Sequence, residues 1–232
     1  MTTLTLQLEG PLQSWGSSSR FTVRETESRP TKSGVIGLLA AAQGRSRETD
    51  ITDLAGLRFG VRVDSPGTVL RDFQTETDWQ SSKSKPLTNR YYLQDAKFTA
   101  VFEGQRSLLE DLAHALESPT FPLFLGRRSC PVSRPIKGII AEGTLEDGLQ
   151  NAEWLIRKND PRATQGALLP FTRDILPGET AENLVRDTPL SFSSAKRAYD
   201  LRPVVHGFVR IDGNVPETES QRHNPMQLLG GI

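Results

Sequence analysis

The pattern of apolar residues changes its period several times along the chain, and this change restricts the fold more than any other feature. Residues 3–8 alternate, with three leucines on one face and polar side chains on the other, which is typical of a half-buried strand. From Ser33 onward the apolar residues recur at helical spacing. Ser33 is expected to cap this helix and Gly44 to end it. The chain therefore combines strands with helices.

The same two periods predict five more elements in the next hundred or so residues. Strands are predicted at 57–63, 68–73 and about 89–102, a helix at 105–117, and a short strand at 136–145. Ser107 and Glu110 are expected to form a capping box for the helix. If 68–73 and 89–102 are counted as one strand that carries a long hairpin, the order is β-α-β-β-α-β, which is the split βαβ arrangement of a ferredoxin-like, RRM-like domain in the α+β class. The open antiparallel face of such a domain is a frequent RNA-binding platform.

A polar segment interrupts this order. Residues 74–88 contain mostly Ser, Lys, Thr and Asp, and they cannot build a core of their own. We therefore predict that about 72–96 form a long inserted β-hairpin, a thumb, that projects from the sheet. Its tip is predicted to be flexible and basic because it carries Lys83 and Lys85, and the partner of that tip is left open.

The periodic signals weaken after about Leu145, which predicts a boundary between domain 1–145 and a smaller β-rich C-terminal region, 146–232. Within this region we predict a short helix at 151–158, a loop-rich stretch at 163–187 and a strand at 204–211. The last twenty residues are rich in Glu, Gln, Asn and Gly and are predicted to form a flexible tail.

Composition excludes several classes of protein. Lys plus Arg and Asp plus Glu number 28 each, which argues against a free-standing, non-specific nucleic-acid coat protein. The charges are nevertheless segregated, because 79–94 and 118–141 contain no acidic residue. A single cysteine excludes an internal disulfide or a Cys-based metal site. No leader sequence and no apolar run of the ~20 residues that span a membrane is visible, so a cytoplasmic location is expected. No cofactor is expected either.

The segment Leu125-Gly-Arg-Arg-Ser-Cys-Pro131 carries the strongest chemical signal. Two adjacent guanidinium groups follow a glycine and precede a hydroxyl group, a combination suited to gripping phosphate. Glycine allows backbone N–H groups to approach an anion closely. The alternative is an ordinary basic surface loop, and whether the arginines hold phosphates or read bases is left open.

Four segments together resemble one known family. They are GPLQSWG at 10–16, RPTKSGVIGLLAA at 29–41, YLQDAKFT at 92–99 and LGRRSCP at 125–131. In this order and at these separations they resemble the CasD subunit family of the type I-E CRISPR Cascade complex. The chain beyond about residue 145 matches that family only loosely.

The resemblance implies a specific role. Members of the family are non-catalytic RNA-binding subunits with a ferredoxin-like domain, an inserted thumb and a smaller C-terminal part. They cap one end of the surveillance complex and hold the five-prime handle of the CRISPR RNA. They contact the CasC backbone subunit and the large CasA subunit, meet target DNA only indirectly, and leave RNA cleavage to the CasE subunit. The thumb displaces a nucleotide near the junction of handle and spacer.

The candidate RNA-binding residues combine phosphate-binding and stacking groups. They are Gln13, Ser14, Trp15, Arg29, Thr31, Lys32, Ser33, Arg71, Arg90, Tyr92, Gly126, Arg127, Arg128 and Ser129.

Several of these candidates have an alternative structural role. Trp15 is expected either to stack on a base or to pack in the core. Residues 29–33 lead into a helix N-terminus, where an anion is favoured, but Thr31 and Ser33 equally suit capping. Strand alternation predicts that one of Tyr91 and Tyr92 faces the core, so that only the other is available for stacking.

Two other functions remain open at this point. A metal-independent endoribonuclease that processes CRISPR repeat RNA needs a general acid and base near the cleaved phosphate. The three histidines do not suggest one, because His114 is predicted on the polar face of a helix, His206 inside a strand and His223 in the tail. The third function is a purely structural bridge between larger subunits.

Overall fold

A computed structural model describes residues 1–16, 22–82, 84, 86–156, 160 and 162–212. The described strands are β1 (Thr2–Glu9), β2 (Leu12–Gln13), β3 (Val23–Arg24), β4 (Arg58–Ser65), β5 (Thr68–Gln74), β6 (Thr88–Gln94), β7 (Lys97–Gly104), β8 (Gly138–Glu142), β9 (Ala167–Asp174), β10 (Asn183–Ser191) and β11 (Ala198–Ile211). The described helices are α1 (Lys32–Ala42), α2 (Thr52–Ala55), α3 (Arg106–Glu117), α4 (Leu145–Asn151) and α5 (Arg162–Gln165). The predicted α+β class is confirmed.

The described strands form two sheets. A seven-stranded sheet has the order β10-β11-β9-β4-β7-β1-β8, and every neighbouring pair in it is antiparallel. Helix α1 lies in the connection from β1 to β4, and α3 lies in the connection from β7 to β8. In the smaller sheet, β6 pairs with β2, β3 and β5.

The main core lies between one face of the large sheet and helices α1 and α3. Alternation in β1 directs Leu4, Leu6 and Leu8 to this face, where all three are fully buried. Phe102 and Ala100 of β7 lie opposite Leu4 and Leu6 in the antiparallel register. The burial of these three leucines confirms the side-chain alternation that was predicted for β1.

The other face of the large sheet is covered, although the sequence predicted an open platform. Helix α4 packs so closely on it that a Cβ atom at Gly148 would lie 2.7 Å from Val101. Arg62 on the same face is completely buried and donates to the carbonyl oxygens of Leu149 (2.6 Å) and Glu153 (2.9 Å). Asp64 neutralises it at 2.7 Å. This face is therefore a second packing surface, which local periodicity cannot reveal.

The C-terminal strands extend the large sheet across the predicted boundary near residue 145. Strand β9 pairs with β4, and β11 pairs with β9 over eight consecutive positions. The stretch 163–187, predicted as loop-rich, contains β9 and the start of β10. The predicted helix 151–158 is wrong, because α4 ends at Asn151. The predicted strand 204–211 is confirmed within β11, and the predicted tail lies outside the described residues.

The N-termini of α1 and α3 differ from the predicted caps. Thr31, rather than Ser33, is the N-cap of α1, and its side chain accepts a hydrogen bond from the backbone N–H of Gly34 at 3.2 Å. Gly44 follows the end of α1 with φ of +74°, as predicted. The predicted box of Ser107 and Glu110 is wrong because α3 starts after Gln105 without a side-chain cap.

The predicted hairpin is present and longer than predicted. Strands β5 and β6 pair antiparallel from Thr68 opposite Gln94 to Gln74 opposite Thr88. The strand predicted at 89–102 is divided into β6 and β7 at Asp95, whose φ is +56°. The stem is anchored in the small sheet through β2 and β3, and Lys83 and Lys85 lie outside the described residues.

The described helices are too short to cross a lipid bilayer. The longest, α3, has 12 residues, and none has the length and hydropathy of a membrane span.

Candidate nucleic-acid groove

A groove of about 550 Å³ lies beside helix α1, and we call it the arginine groove. Three of the four motif segments meet in its lining. They contribute Ser14, Trp15, Thr31, Ser33, Gly34, Gly126 and Arg128. Other residues of the lining lie outside these segments. They include Arg45, Arg47, Phe121, Phe192, Arg197 and Tyr199. The tertiary structure thus assembles the predicted motifs into one concave surface.

The rim of the arginine groove is strongly cationic. Arg45 is neutralised by Asp53, whose Oδ1 lies 2.6 Å from its Nη1. Arg47, Arg128 and Arg197 are exposed, and they form no ion pair or hydrogen bond with any residue in the described part of the chain. The described lining contains no Asp or Glu. Three guanidinium groups without a partner among the described residues, in a described lining without Asp or Glu, suit an anionic ligand with several phosphates.

Arg127 and Arg128 have different surroundings. The Arg127 guanidinium group donates to the carbonyl oxygens of Tyr91 (3.2 Å), Arg24 (2.9 Å) and Glu25 (3.0 Å). It also lies over the ring of Tyr92, 5.1 Å from the centroid. Arg127 therefore ties its loop to the hairpin stem and to β3, whereas Arg128 lines the groove and has no partner in the described part of the chain.

The turn before these arginines requires glycine. Gly126 has φ of +86°, and a Cβ atom there would lie 1.8 Å from the carbonyl oxygen of Ser14. The turn is closed by hydrogen bonds from the N–H of Leu125 to Cys130 (2.8 Å) and from the N–H of Cys130 to Arg127 (2.9 Å). Burial raises the pKa of the Cys130 thiol, so it remains a neutral packed group. This tight loop fixes the position of Arg128.

Residues 13–15 pack in the interior. Gln13 is fully buried and donates to the carbonyl oxygens of Leu8 (3.2 Å) and Ala96 (2.8 Å). The indole N–H of Trp15 donates to Gln13 Oε1 at 3.0 Å, and only 1% of Trp15 is exposed. The packing alternative for Trp15 therefore applies, and neither side chain presents a surface to a base. Ser14 donates to the carbonyl oxygen of Tyr91 at 3.1 Å.

The N-terminus of α1 already holds a carboxylate of the chain itself. The backbone N–H of Lys32 donates to Asp187 Oδ2 at 2.8 Å, and Lys32 Nζ pairs with Asp174 at 3.2 Å. Burial lowers the pKa of Lys32 from its ordinary value, although Asp174 opposes this shift. The expected anion site at the helix start is therefore occupied internally, and Thr31 has the capping role.

Arg29 lies away from the groove lining. Its guanidinium group donates to the hydroxyl of Thr172 in β9. Burial lowers the pKa of Arg29. The structure therefore joins this motif residue to the C-terminal strands.

The candidates on the hairpin stem are also outside the groove lining. Arg71 is exposed and bonds Asn89 Oδ1 at 3.0 Å, and Arg90 is partly buried. Tyr92 is the tyrosine that faces the interior, with 3% of it exposed, so Tyr91 is the more accessible ring. The hydroxyl groups of Tyr92 and Ser129 are 3.4 Å apart. Tyr92 is therefore a support for the arginine loop, while Ser129 is exposed next to Arg128.

The sequence analysis missed three arginines of the rim. Arg45 and Arg47 immediately follow Gly44, where a basic pair after a helix end was a usable signal. Arg197 lies between β10 and β11 in a cluster of serines with Lys196, within the region to which the motifs assigned little. The tertiary packing of the C-terminal strands brings it to the groove.

The described histidines do not line the arginine groove. His114 is exposed on α3, and His206 Nδ1 lies 2.8 Å from the hydroxyl of Thr172. His223 lies outside the described residues. Among the residues that the structure describes, no group of three or more His, Cys, Asp or Glu side chains is arranged to hold a metal ion.

The fold and the groove together define an α+β protein with a cationic groove suited to phosphodiester chains, and comparison with known proteins specifies the family. The model of the family described as "CRISPR-associated protein (Cas_Cas5)" matches residues 3–205. The chain is 35% identical over 154 residues to the CRISPR system Cascade subunit CasD of Escherichia coli strain K12, covering 57% of this chain and 68% of that protein.

Solved structures agree with this match. A chain described as "Crystal structure of Cas protein" is 38% identical, with a TM-score of 0.71, and covers 92% of this chain and 100% of its own. A chain of a "CRISPR RNA-guided surveillance complex" is 28% identical, with a TM-score of 0.74 and coverage of 95% and 96%. The protein therefore belongs to the Cas5 family of CRISPR-associated proteins, and the resemblance carried by the four motif segments is confirmed.

Proposed function

We propose that this protein is a non-catalytic RNA-binding subunit of a Cascade-type surveillance complex, in which it caps and holds the five-prime handle of the CRISPR RNA. The relatives named as a Cascade subunit and as part of an RNA-guided surveillance complex support the assembly. The observation that carries the RNA-binding role is the acid-free arginine groove, which three of the four motif segments build together.

The groove offers the contacts that a short single strand needs. Arg128 has no partner in the described part of the chain and can form a bidentate pair with a phosphate, and the exposed Ser129 adds a hydroxyl group beside it. Arg127 supports the same site indirectly, because its bonds to the hairpin stem keep the stem and the groove in a fixed relation. The strand therefore meets a preorganised surface, which reduces the entropy lost on binding.

The order of the central strands supports a ferredoxin-like core within residues 1–145. Strands β4, β7, β1 and β8 are neighbours in that order, with α1 and α3 as the two helical connections, as in a split βαβ unit. We assign β5 and β6 as the thumb. The C-terminal strands form a β-rich extension of this core rather than an independent sheet.

The proposed neighbours are the CasC backbone subunit and the large CasA subunit, with target DNA reached only through the assembled complex in the cytoplasm. The hairpin carries exposed apolar side chains that suit such contacts. Val69 and Phe73 are each 68% exposed and Trp79 is 87% exposed. Exposed apolar patches mark interaction surfaces, and aromatic residues are enriched at protein interfaces.

Replacement of Arg128 tests the proposed function. Arg128→Gln removes one charge-assisted phosphate contact, worth ~1.5–3 kcal/mol. Affinity of the full chain for single-stranded repeat RNA is then expected to fall roughly ten-fold or more, measured by filter binding. Arg106→Gln is the matched control, since this exposed arginine lies on α3 outside the groove and pairs with Glu110. Equal affinity of the Arg128 variant and the control would contradict the proposal.

Incubation of the full chain with labelled repeat RNA and EDTA separates this function from the endoribonuclease alternative. The described groove lining contains Tyr199 but no histidine or lysine, which supports a non-catalytic role. We expect the RNA to remain intact. Cleavage at a single site would overturn the non-catalytic assignment.

A further inference from the structure

Part of the wall of the arginine groove is built by β10, β11 and the connection between them. Phe192 follows β10, Arg197 precedes β11 and Tyr199 lies within β11, and all three line the groove. Arg47, from the connection between α1 and α2, stands on the same rim. We call these four residues the far wall. It contains two of the three groove-lining arginines that have no partner in the described part of the chain.

A buried charge network holds the far wall against α1. Arg202 of β11 pairs with Asp187 and with Asp174, each at 2.6 Å, and it is 5% exposed. The same two carboxylates bind the backbone N–H and the ammonium group of Lys32 at the start of α1. The connection between β10 and β11 is therefore anchored at both of its flanking strands, so the far wall has a defined position relative to Arg128.

Two aromatic rings give the groove an apolar surface. Phe121 is 48% exposed, and the ring of Phe192 lies against α1, at 3.7 Å from where a Cβ atom of Gly37 would stand. Aromatic faces of this kind accept an unpaired nucleobase by stacking. A volume of about 550 Å³ falls in the range of ~300–1,000 Å³ found for sites that enclose a small organic ligand.

We propose that the far wall is a second RNA-binding subsite. Arg47 and Arg197 hold phosphates of the same strand that Arg128 binds, and one unpaired base of that strand lies between the walls against Phe121. The inference rests on the proposed function and extends it, because it assigns RNA contacts to residues of the C-terminal strands and of the connection after α1. Single-stranded RNA fits better than a protein partner, since the described lining combines aromatic rings with arginines that have no partner in the described part of the chain, and it contains no Asp or Glu.

Fluorescence anisotropy with the full chain tests the inference. A fluorescein-labelled single-stranded repeat RNA is titrated with the parent protein, Arg47→Gln/Arg197→Gln, Arg128→Gln and the control Arg106→Gln at several salt concentrations. The double variant is expected to bind at least about ten-fold more weakly. The slope of log K against log salt is negative, and its magnitude is expected to become smaller by ~1.4, since each lost phosphate contact removes ~0.7 for a single strand.

A second measurement tests the base contact. 2-Aminopurine placed at successive positions of the RNA is expected to be quenched at one position on binding, and this quenching is expected to be lost in Phe121→Leu. Phe121 is half exposed, so this replacement leaves the buried core intact. Equal quenching in parent and variant at every position would overturn the assignment of the base to Phe121.

The outcomes distinguish the inference from the proposed function. If the double variant binds RNA like the parent while Arg128→Gln binds weakly, the far wall is not an RNA subsite and the proposed function stands. The far wall is likewise excluded as an RNA subsite if the double variant retains RNA affinity but fails to assemble with neighbouring subunits, because the far wall is then a protein contact. If neither the double variant nor Arg128→Gln is weakened, both proposals fail.

Discussion

Arg127 and Arg128 are neighbours in sequence, but they perform different tasks in the structure. Arg127 donates to three backbone carbonyl oxygens in two other segments and lies over Tyr92, so its charge is used inside the protein. Arg128 has no partner in the described part of the chain and faces the groove. At the scale of single residues, stability and ligand binding are therefore divided between two identical side chains.

This division predicts that the same replacement at the two positions changes the free energy of unfolding by different amounts. Arg127→Gln is expected to lower the free energy of unfolding by ~1–3 kcal/mol, because three carbonyl oxygens lose a charged donor. Arg128→Gln is expected to change it by less than ~0.5 kcal/mol, as is usual for exposed positions. Urea unfolding followed by circular dichroism measures both values. A loss of equal size in the two variants would refute the structural role of Arg127.

At the scale of elements, the turn between β9 and β10 depends on one carboxylate. Glu179 accepts two hydrogen bonds from Arg173, at 2.7 and 2.9 Å, and one from the backbone N–H of Leu176 at 2.8 Å. The bonds from Arg173, followed by that of Leu176, lower the pKa of Glu179 from 4.5 to about 2. The turn is thus stabilised by the ionised form.

The direction of this pKa shift predicts how the stabilisation by Glu179 depends on pH. Because the folded-state pKa is below the unfolded one, the stabilisation is fully present above pH 4.5 and is lost as pH falls toward 2. Glu179→Gln is therefore expected to be less stable than the parent at pH 7, with a difference that narrows below pH 4.5. Urea midpoints at pH 7, 4 and 3 measure it. A difference that stays constant over this range would show that Glu179 does not act through its charge.

At the scale of the whole molecule, one buried network joins the start of α1 to the C-terminal strands. Lys32 at the start of α1, Asp174 in β9, Asp187 in β10 and Arg202 in β11 are in contact through ion pairs and a backbone hydrogen bond. Arg202 also lies 5.3 Å from the ring centroid of Phe59 in β4. The same network anchors the far wall, so global stability and the geometry of the groove depend on shared residues.

Removal of one residue of this network is expected to lower the free energy of unfolding of the whole protein. Asp187→Ala leaves the buried Arg202 partly uncompensated and uncovers the N-terminus of α1, so a loss of ~3–5 kcal/mol is expected. Hydrogen exchange should show lower protection in both α1 and β11, because they belong to one cooperative unit. Asp53→Ala, which breaks a partly exposed pair with Arg45, is the control, with an expected loss of ~1 kcal/mol or less. Loss of protection in β11 alone would support an independent C-terminal domain.

The sequence predicted the parts of the fold that depend on local pattern. Strand β1, helix α1 with its end at Gly44, the hairpin and strand β8 follow from apolar period and turn chemistry, which act over a few residues. Strands β9 and β10 were missed because Pro170, Pro177 and Gly178 resemble loop signals, although the prolines at 170 and 177 lie in and just after an internal strand of the sheet.

The candidate site was predicted in part. The sequence alone determined that two adjacent arginines follow Gly126, and that basic and aromatic groups are concentrated in a few motif segments, because these features are contiguous in the chain. Only the tertiary structure decided that Arg127 is bonded within the protein while Arg128 has no partner among the described residues, and that Trp15 is buried. It also placed Asp187, 155 positions away from Lys32 in sequence, at the start of α1, and Arg197 on the rim. The physical reason is that such contacts join distant segments through sheet pairing and buried charge, which no local pattern records.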